Sequence, residues 1–432
     1  MRYRFTALAL AAALAAALVA AFSVGGAGAG HKGKAVSGKV EMIGIWTATE
    51  QKSIQAVIAG FHKKYPGVNV SYTSAGNDTP TVLKTRLAGG KPPDVAAVGQ
   101  PSLVREFAKS GKLKPITFAR GEISQNYGPN GVALGSVNGK LYGLFFKAAN
   151  KSTVWYNVKA FKNAGVTPPK TWPALLKAAT TIRGSGLPAY AVGGSEGWTL
   201  TDLFENIYLR TAGPQKYDQL TDHKIKWTDP SVKKALTYMG QILGDSANIA
   251  GGTKGALQTG FPQSVDAVLS KSPKAAMVIE GDFVPGVATT KGLKPFVDYN
   301  MFAFPSINGS PPSVVTGGDT VVMFKDTPAT RAFITYLASP EASTIWAKRG
   351  GFTSPNRKVP LSAYSDALTR ASAKALVTAG ASRFDLSDLE PAAFGATTGQ
   401  GEWKIFQDFL KNPKNVARTA SALESAAAKA FK

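Results

Sequence analysis

Segments with strand periodicity and segments with helix periodicity alternate three times between residues 40 and 108, and this alternation restricts the fold more than any other feature. Residues 40–46 (VEMIGIW) form a mostly apolar strand, after which Ile54, Val57, Ile58 and Phe61 recur at helical spacing along one face. Tyr65-Pro66-Gly67 breaks that helix, and residues 68–72 alternate as a second strand. Asp78 or Thr79 is placed to cap a second helix, with Pro80 in its first turn, Val82, Leu83 and Leu87 on its buried side, and Gly89-Gly90 at its end. Residues 94–98 read as a third strand and 103–108 as a third helix. Repeated βαβ units of this kind give an α/β chain: an open, mostly parallel sheet with helices on both faces. Ligands of such sheets sit outside the carboxyl ends of the strands. Here those ends fall near Trp46, at Gly76-Asn77-Asp78 and at Gly99-Gln100. Neither the Gly-x-Gly-x-x-Gly nor the Walker pattern occupies these turns, so no nucleotide cofactor is expected.

A chain of 432 residues exceeds one ordinary domain, and two lobes around separate cores are expected. Two arginines in residues 1–4, an Ala/Leu run over 5–24 and small residues over 25–30 read as an export signal (1–29), followed by a polar linker (30–38). The apolar run is also long enough to span a bilayer, so a retained anchor is the alternative to cleavage. There is no cysteine, which excludes thiol catalysis, cysteine metal sites and disulfides. A formal net charge of +23 raises the question of nucleic acid, but the lysines are spread along the chain and no basic helix carries interleaved aromatics. The charge reads instead as a solvated basic surface able to meet anionic lipid or wall polymer, and no nucleic-acid partner is expected. His31, His62 and His223 are isolated from one another, which gives no ligand pair for a catalytic metal.

Seven strings occur in a fixed order: FHKKYPGVNVSY, LAGGKPPDVAAVG, KLYGLFFKAANKSTVWYNVKAF, PKTWPALLKAA, AAMVIEGDF, VVTGGDTVVM and FITYLASPEASTIWAKRGGFTSPNRKV. On these strings the chain resembles the cluster 1 extracellular solute-binding proteins of carbohydrate ABC importers. The segment GGSEGWTLTDLFENIYLRTAGPQKYDQL is similar to their α-glucoside-binding subgroup. The resemblance implies a two-lobed periplasmic-binding-protein-like fold of class II, each lobe a mostly parallel sheet flanked by helices, with the ligand cleft between. The N-terminal lobe would hold 36–146 and 305–350, and the C-terminal lobe 147–304 and 351–432. It further implies a monomer, exported to the periplasm or cell surface, that catalyses no reaction. By lobe closure it would capture a neutral mono- or oligosaccharide, an α-glucoside such as a maltose- or trehalose-like sugar. It would deliver that sugar to permease subunits served by a cytoplasmic ATPase. Many relatives are tethered through a lipidated cysteine; this chain has none.

A sugar presents paired hydroxyls and flat C–H faces, so its site needs carboxylates, amides, cationic donors and aromatic platforms. Trp46 ends the first strand and faces either core or cleft. Glu50 matches a family acid, although Thr47-x-x-Glu50 also reads as a capping box. Asn77 and Gln100 stand at the next two strand ends; Gly99 or Gln100 falls where some relatives carry an acid, with Gln100 the substitute, while Asp94 reads as a turn residue. At the crossing between lobes, Lys147 offers a charged donor and Asn150 an amide, with Lys151 following. Glu196 and Trp198 lie in a Gly-rich loop, and by the subgroup resemblance Trp198 would be a platform and Asp202 an acceptor. Glu280 and Phe283 match an acceptor and a smaller stacking face. Gly317 and Gly318 allow close backbone approach, and Asp319 adds an acceptor. Arg357 matches a family arginine that reaches a sugar ring, or forks onto an acid such as Glu50.

Two other classes fit part of the pattern. A secreted glycoside hydrolase could use Glu280 and Asp319, provided the carboxyls lie about 5–9.5 Å apart astride one bond. A basic cell-wall-polymer-binding protein would rest on charge alone, with steep salt dependence.

Overall fold

The computed structural model describes residues 36–290, 292–379 and 381–432; the expected export signal and the first part of the linker lie outside them. Two sheets organise the chain. The first contains β1 (Gly38–Gly44), β2 (Val68–Ser74), β3 (Val95–Val98), β6 (Gly143–Asn150), β11 (Ser313–Met323) and β12 (Ala381–Phe384). The second contains β7 (Thr153–Asn157), β8 (Tyr190–Ala191), β9 (Met277–Glu280) and β10 (Tyr299–Ala303), and a small hairpin joins β4 (Ser136–Val137) to β5 (Lys140–Leu141).

The alternation at the start of the chain produces the expected elements. β1 pairs in parallel with β2 and β3, and helices α1 (Ala48–Lys64), α2 (Thr79–Ala88) and α3 (Pro101–Lys109) intervene. Ile54, Val57, Ile58 and Phe61 are all buried against Val40, Met42, Phe333 and Trp346. α2 is shallower than its pattern suggests: Leu83 is buried, whereas Val82 and Leu87 are only half-buried. β1 stops at Gly44, before Trp46.

Long-range returns complete the first sheet. β11 runs antiparallel to β6 and to β3, and parallel to β12. In the second sheet β9 and β10 both pair antiparallel with β7, and β8 runs parallel to β9, so three strands share one direction with β7 reversed among them. Stretch 351–432, expected on the second lobe alone, is divided in the structure. β12 joins the first sheet, and Tyr364 and Ala373 pack into the first core. Leu386, Phe406, Phe409 and Leu423 pack with Phe204 and Trp227 in the second. The reason is physical: β12 supplies an edge partner for the first part of β11, on the side away from Lys151 and Ser152, which already bond the Val315 backbone.

Candidate functional site

The three turns at the carboxyl ends of β1, β2 and β3 converge on one cavity of about 230 Å³, supplying Ile45-Trp46-Thr47, Gly76-Asn77 and Gly99-Gln100. Lys147 and Ala149 of β6 enter it beside Gly318 and Asp319 of β11. Opposite stand Trp198, Phe261, Pro262 and Phe283. Their rings are mutually edge-on: Trp198 and Phe261 lie 4.9 Å apart at 64°, and Phe261 and Phe283 5.5 Å apart at 79°. One wall is therefore polar and charged, the other aromatic, as a guest with hydroxyl edges and apolar faces requires.

Two lysines organise the charge. The Lys147 ammonium donates to Glu50 and lies 3.8 Å from Asp319. Burial alone would depress this ammonium, but Glu50 and Asp319 beside it hold it above its ordinary range. Burial pushes the Glu50 carboxyl up, by more than Lys147 takes back. Asp319 is also held by the Trp46 indole N–H, which donates at 2.6 Å to Oδ2, the same oxygen that Lys147 approaches. Four residues along the chain, the Lys151 ammonium donates to Asp202 at 3.0 Å and Asp385 at 2.5 Å, with Asp388 at 3.9 Å. Burial would raise Asp385, but Lys151, Ser387 and the Asp388 N–H outweigh it and bring it down to about 2. Burial wins at Asp202, pushed up to about 8 against the pull of Lys151. Asp388 also rises well above the usual carboxylate range, through burial and then Asp385. One carboxylate oxygen from each of Asp202, Glu205 and Asp385 lies within 4.8 Å of the others, a spacing that could hold a cation; the Lys151 ammonium already bonds two of these residues.

The expected site residues divide. Glu50, Asn77, Gln100, Lys147, Trp198, Phe283, Gly318 and Asp319 line the cavity together. Trp46 also lines it but is fully buried between Tyr72, Phe146 and Trp346, so it positions Asp319 and offers no free stacking face. Thr47 makes no side-chain cap hydrogen bond, which removes the capping-box alternative for Glu50. Asp94, by contrast, is the turn residue expected, accepting from the Glu41 N–H at 2.7 Å.

Five expectations change. Asn150 is turned from the cavity and accepts from the Ser152 N–H at 2.9 Å, so it closes the chain turn after β6. Asp202 stands behind Lys151, not at the surface of the cavity. Glu280 is buried outside it beside Tyr190 and Leu203, with Oε2 unpaired among the described residues. Gly317 serves the lysine: a Cβ there would come within 2.6 Å of Lys151 Cε. Arg357 lies in a separate hollow of about 790 Å³ and packs over Gly128, where a Cβ would lie 2.3 Å from the guanidinium carbon; it pairs with no acid of the site. With Glu280 outside the cavity, the glycosidase pair Glu280–Asp319 does not face a common guest.

The sequence reading named Lys151 and Glu196 without giving them a role and did not single out Phe261, Asp385, Ser387, Asp388 or Trp403; all seven line the cavity. Glu196 carried a usable signal in its Gly-rich loop, where its carboxylate accepts from Ser195 Oγ at 2.9 Å and from the Phe261 N–H. Asp385 and Asp388 lie in a run that reads as an ordinary helix cap, and Asp385 does cap the short helix Leu386–Leu389.

A cleft of this composition between two α/β sheets suits a small guest with hydroxyl edges and apolar faces. Residues 45–344 match the family described as bacterial extracellular solute-binding protein. Over 393 residues the chain is 33% identical to the osmoprotective compounds-binding protein GgtB of Synechocystis sp., covering 89% of this chain and 91% of that one. Over 414 residues it is 30% identical to the alpha-glucosides-binding periplasmic protein AglE of Rhizobium meliloti, covering 91% and 88%. The bacterial solute receptor AcbH superposes with a TM-score of 0.81 at 20% identity, over 92% of this chain and all (100%) of that one. The GacH receptor of Streptomyces glaucescens superposes with a TM-score of 0.74 at 18% identity, over 92% and 99%. The fold is thus the two-lobed periplasmic-binding fold expected from the sequence. The chain belongs to the bacterial extracellular solute-binding protein family.

Proposed function

We propose that this protein is the extracytoplasmic receptor of a carbohydrate ABC importer, binding a neutral mono- or oligosaccharide and releasing it unaltered to membrane permease subunits driven by a cytoplasmic ATPase. The observation that carries this reading is the two-sided cavity, with carboxylates and amides on one wall and Trp198, Phe261 and Phe283 on the other. Its two lysines are already neutralised by acids, which leaves no free cation among the described residues lining the cavity to hold an anionic guest. An α-glucoside is the favoured ligand, a reading supported by the similarity to AglE, which is named for alpha-glucosides; GgtB is named for osmoprotective compounds.

In this reading the guest bridges the two walls and favours the arrangement in which both touch it. The lobes comprise 36–150 with 305–350 and the first part of 351–432, and 151–304 with the remainder of 351–432. Lys147 and Asp319 hold hydroxyls while Trp198 and Phe283 take a ring face. The protein acts as an exported monomer, tethered by its uncleaved N-terminal segment or free. Melting of the protein against a panel of neutral sugars tests the reading. A true ligand at 100 times its Kd should add about 2.7 kcal/mol to stability. Absence of a shift with every neutral sugar and polyol tried would remove it.

A further inference from the structure

Among the described residues the exposed large apolar side chains are Phe118, Phe296, Val297 and Leu361. The Arg331 guanidinium covers the Phe118 ring at 4.9 Å, and Leu361 lines the hollow that holds Arg357. Phe296 and Val297 are adjacent, 52% and 64% exposed, at the tip of the loop that leads into β10. We propose that this tip is a contact surface for an anionic membrane: Phe296 and Val297 enter the lipid interface while Lys159, Lys271 and Lys294 meet its phosphate groups. The inference is independent of what the cavity binds.

The tip is held out by its own backbone and by one acid. Phe296 has φ +65°, a left-handed conformation that a bulky residue adopts at a cost and keeps only where its surroundings fix it. Here the Phe296 N–H donates to the Tyr299 carbonyl at 2.7 Å, and the Val297 N–H to that of Lys294 at 3.2 Å. The Asp298 carboxylate closes the turn from inside, accepting from the Lys294 N–H at 2.8 Å and the Lys271 ammonium at 2.5 Å. The Asp298 carbonyl accepts from the Val158 N–H at 3.0 Å, which seats the turn against the helix Val158–Asn163. These bonds fix the turn with both apolar side chains in solvent.

The same bonds place the charge. Lys271 reaches Asp298, Lys294 begins the turn and Lys159 follows Val158; all three are exposed. Asp298 is the acid of the tip and is spent within it, its side chain 16% exposed. Asp266 is engaged by the N–H and hydroxyl of Thr289, earlier in the same loop, and Asp366, whose charge is felt at Tyr299, by those of Thr369. What faces outward is therefore apolar at the centre and cationic around it. An anionic bilayer complements both parts: the apolar pair leaves water, and each lysine near such a surface adds about fivefold to affinity. A stable protein interface needs roughly 800 Å² a side, far more than two side chains supply.

The chain has no cysteine, so Val297→Cys in the full chain takes a single environment-sensitive dye. Lys112→Cys, exposed after α3, carries the same dye as a control. Residues 1–35 are present in every sample, so their contribution is common to all. With phosphatidylglycerol vesicles the dye at 297 should shift to shorter wavelength; with phosphatidylcholine vesicles it should not, and the dye at 112 should respond to neither. Added salt should reverse the shift. Two changes are then made beside the dye at 297. Phe296→Asn removes the ring with a residue that tolerates the left-handed backbone, and Lys159→Gln with Lys294→Gln leaves the Lys271–Asp298 bond in place. Each should raise the phosphatidylglycerol needed for half the shift by about tenfold or more. Melting at the temperature of the unsubstituted labelled protein identifies these variants as folded. No shift at 297, an equal shift with phosphatidylcholine or at 112, a shift reproduced by soluble dextran sulfate, or folded variants that behave as the parent would overturn the inference.

Discussion

Replacing Lys151 by methionine is expected to lower folding stability by about 3–5 kcal/mol, because it removes the cation from a buried acidic cluster and leaves the acids behind. The ammonium bonds Asp202 and Asp385 at 3.0 and 2.5 Å, and both carboxyls are almost fully buried. Methionine keeps the length of the side chain over Gly317, so lost packing contributes little. Urea unfolding of the ligand-free protein reads the change as a lower midpoint at constant slope. Adding Asp385→Asn to the variant should recover much of the loss, since a neutral pair no longer strands a charge. An unchanged midpoint in the single variant would mean that the cluster is not held together by this lysine.

The second large effect concerns pH. Asp202 and Glu402 are each pushed up to about 8, first by burial and with Asp385 adding to both. In the unfolded chain these groups titrate at ordinary carboxylate values. Between about pH 5 and pH 8 the folded state therefore holds protons that the unfolded state has released, and stability falls as pH rises, by about 1.4 kcal/mol per unit for each such proton. Asp385, lowered to about 2, has the opposite sign, but its contribution is complete above the ordinary carboxylate range and is lost only at lower pH. Lys147 and Lys151, both raised, keep their contributions throughout this window. Thermal unfolding of the ligand-free protein should accordingly show its maximum on the acidic side of neutrality. A profile that is flat or rises from pH 5 to pH 8 would contradict the assignment of neutral carboxyls to these positions.

Legibility in the sequence followed the range of the interactions. The buried face of α1 could be read because Ile54, Val57, Ile58 and Phe61 report a local period, and the three strand ends that line the cavity could be read because the βαβ order places them. Lys147, Asp319 and Phe283 came from matching strings, and the cavity does bring them together. What escaped depends on the return of distant chain. The split of 351–432 follows from β12 pairing with β11, which no local pattern announces. Arg357 matched a family string, yet its side chain lies over Gly128 because its backbone N–H is tied to Asn126. Trp46 at a strand end was compatible with core or cleft, and only the position of Asp319 decided between them. Asp385 has the appearance of a helix cap because it is one; that the same carboxylate also meets Lys151 needs the fold.

The bond from Trp46 to Asp319 joins positions 273 apart, and that from Lys151 to Asp385 joins positions 234 apart. A ribosome delivers the early partners long before the late ones, and domains generally organise in that order. Until residues 385–388 have emerged, the Lys151 ammonium lacks part of its counter-charge, and until Trp403 follows the pocket lacks part of its wall. An unfinished product therefore has no grip on a guest, and capture is a property that the chain acquires only near the end of its own synthesis.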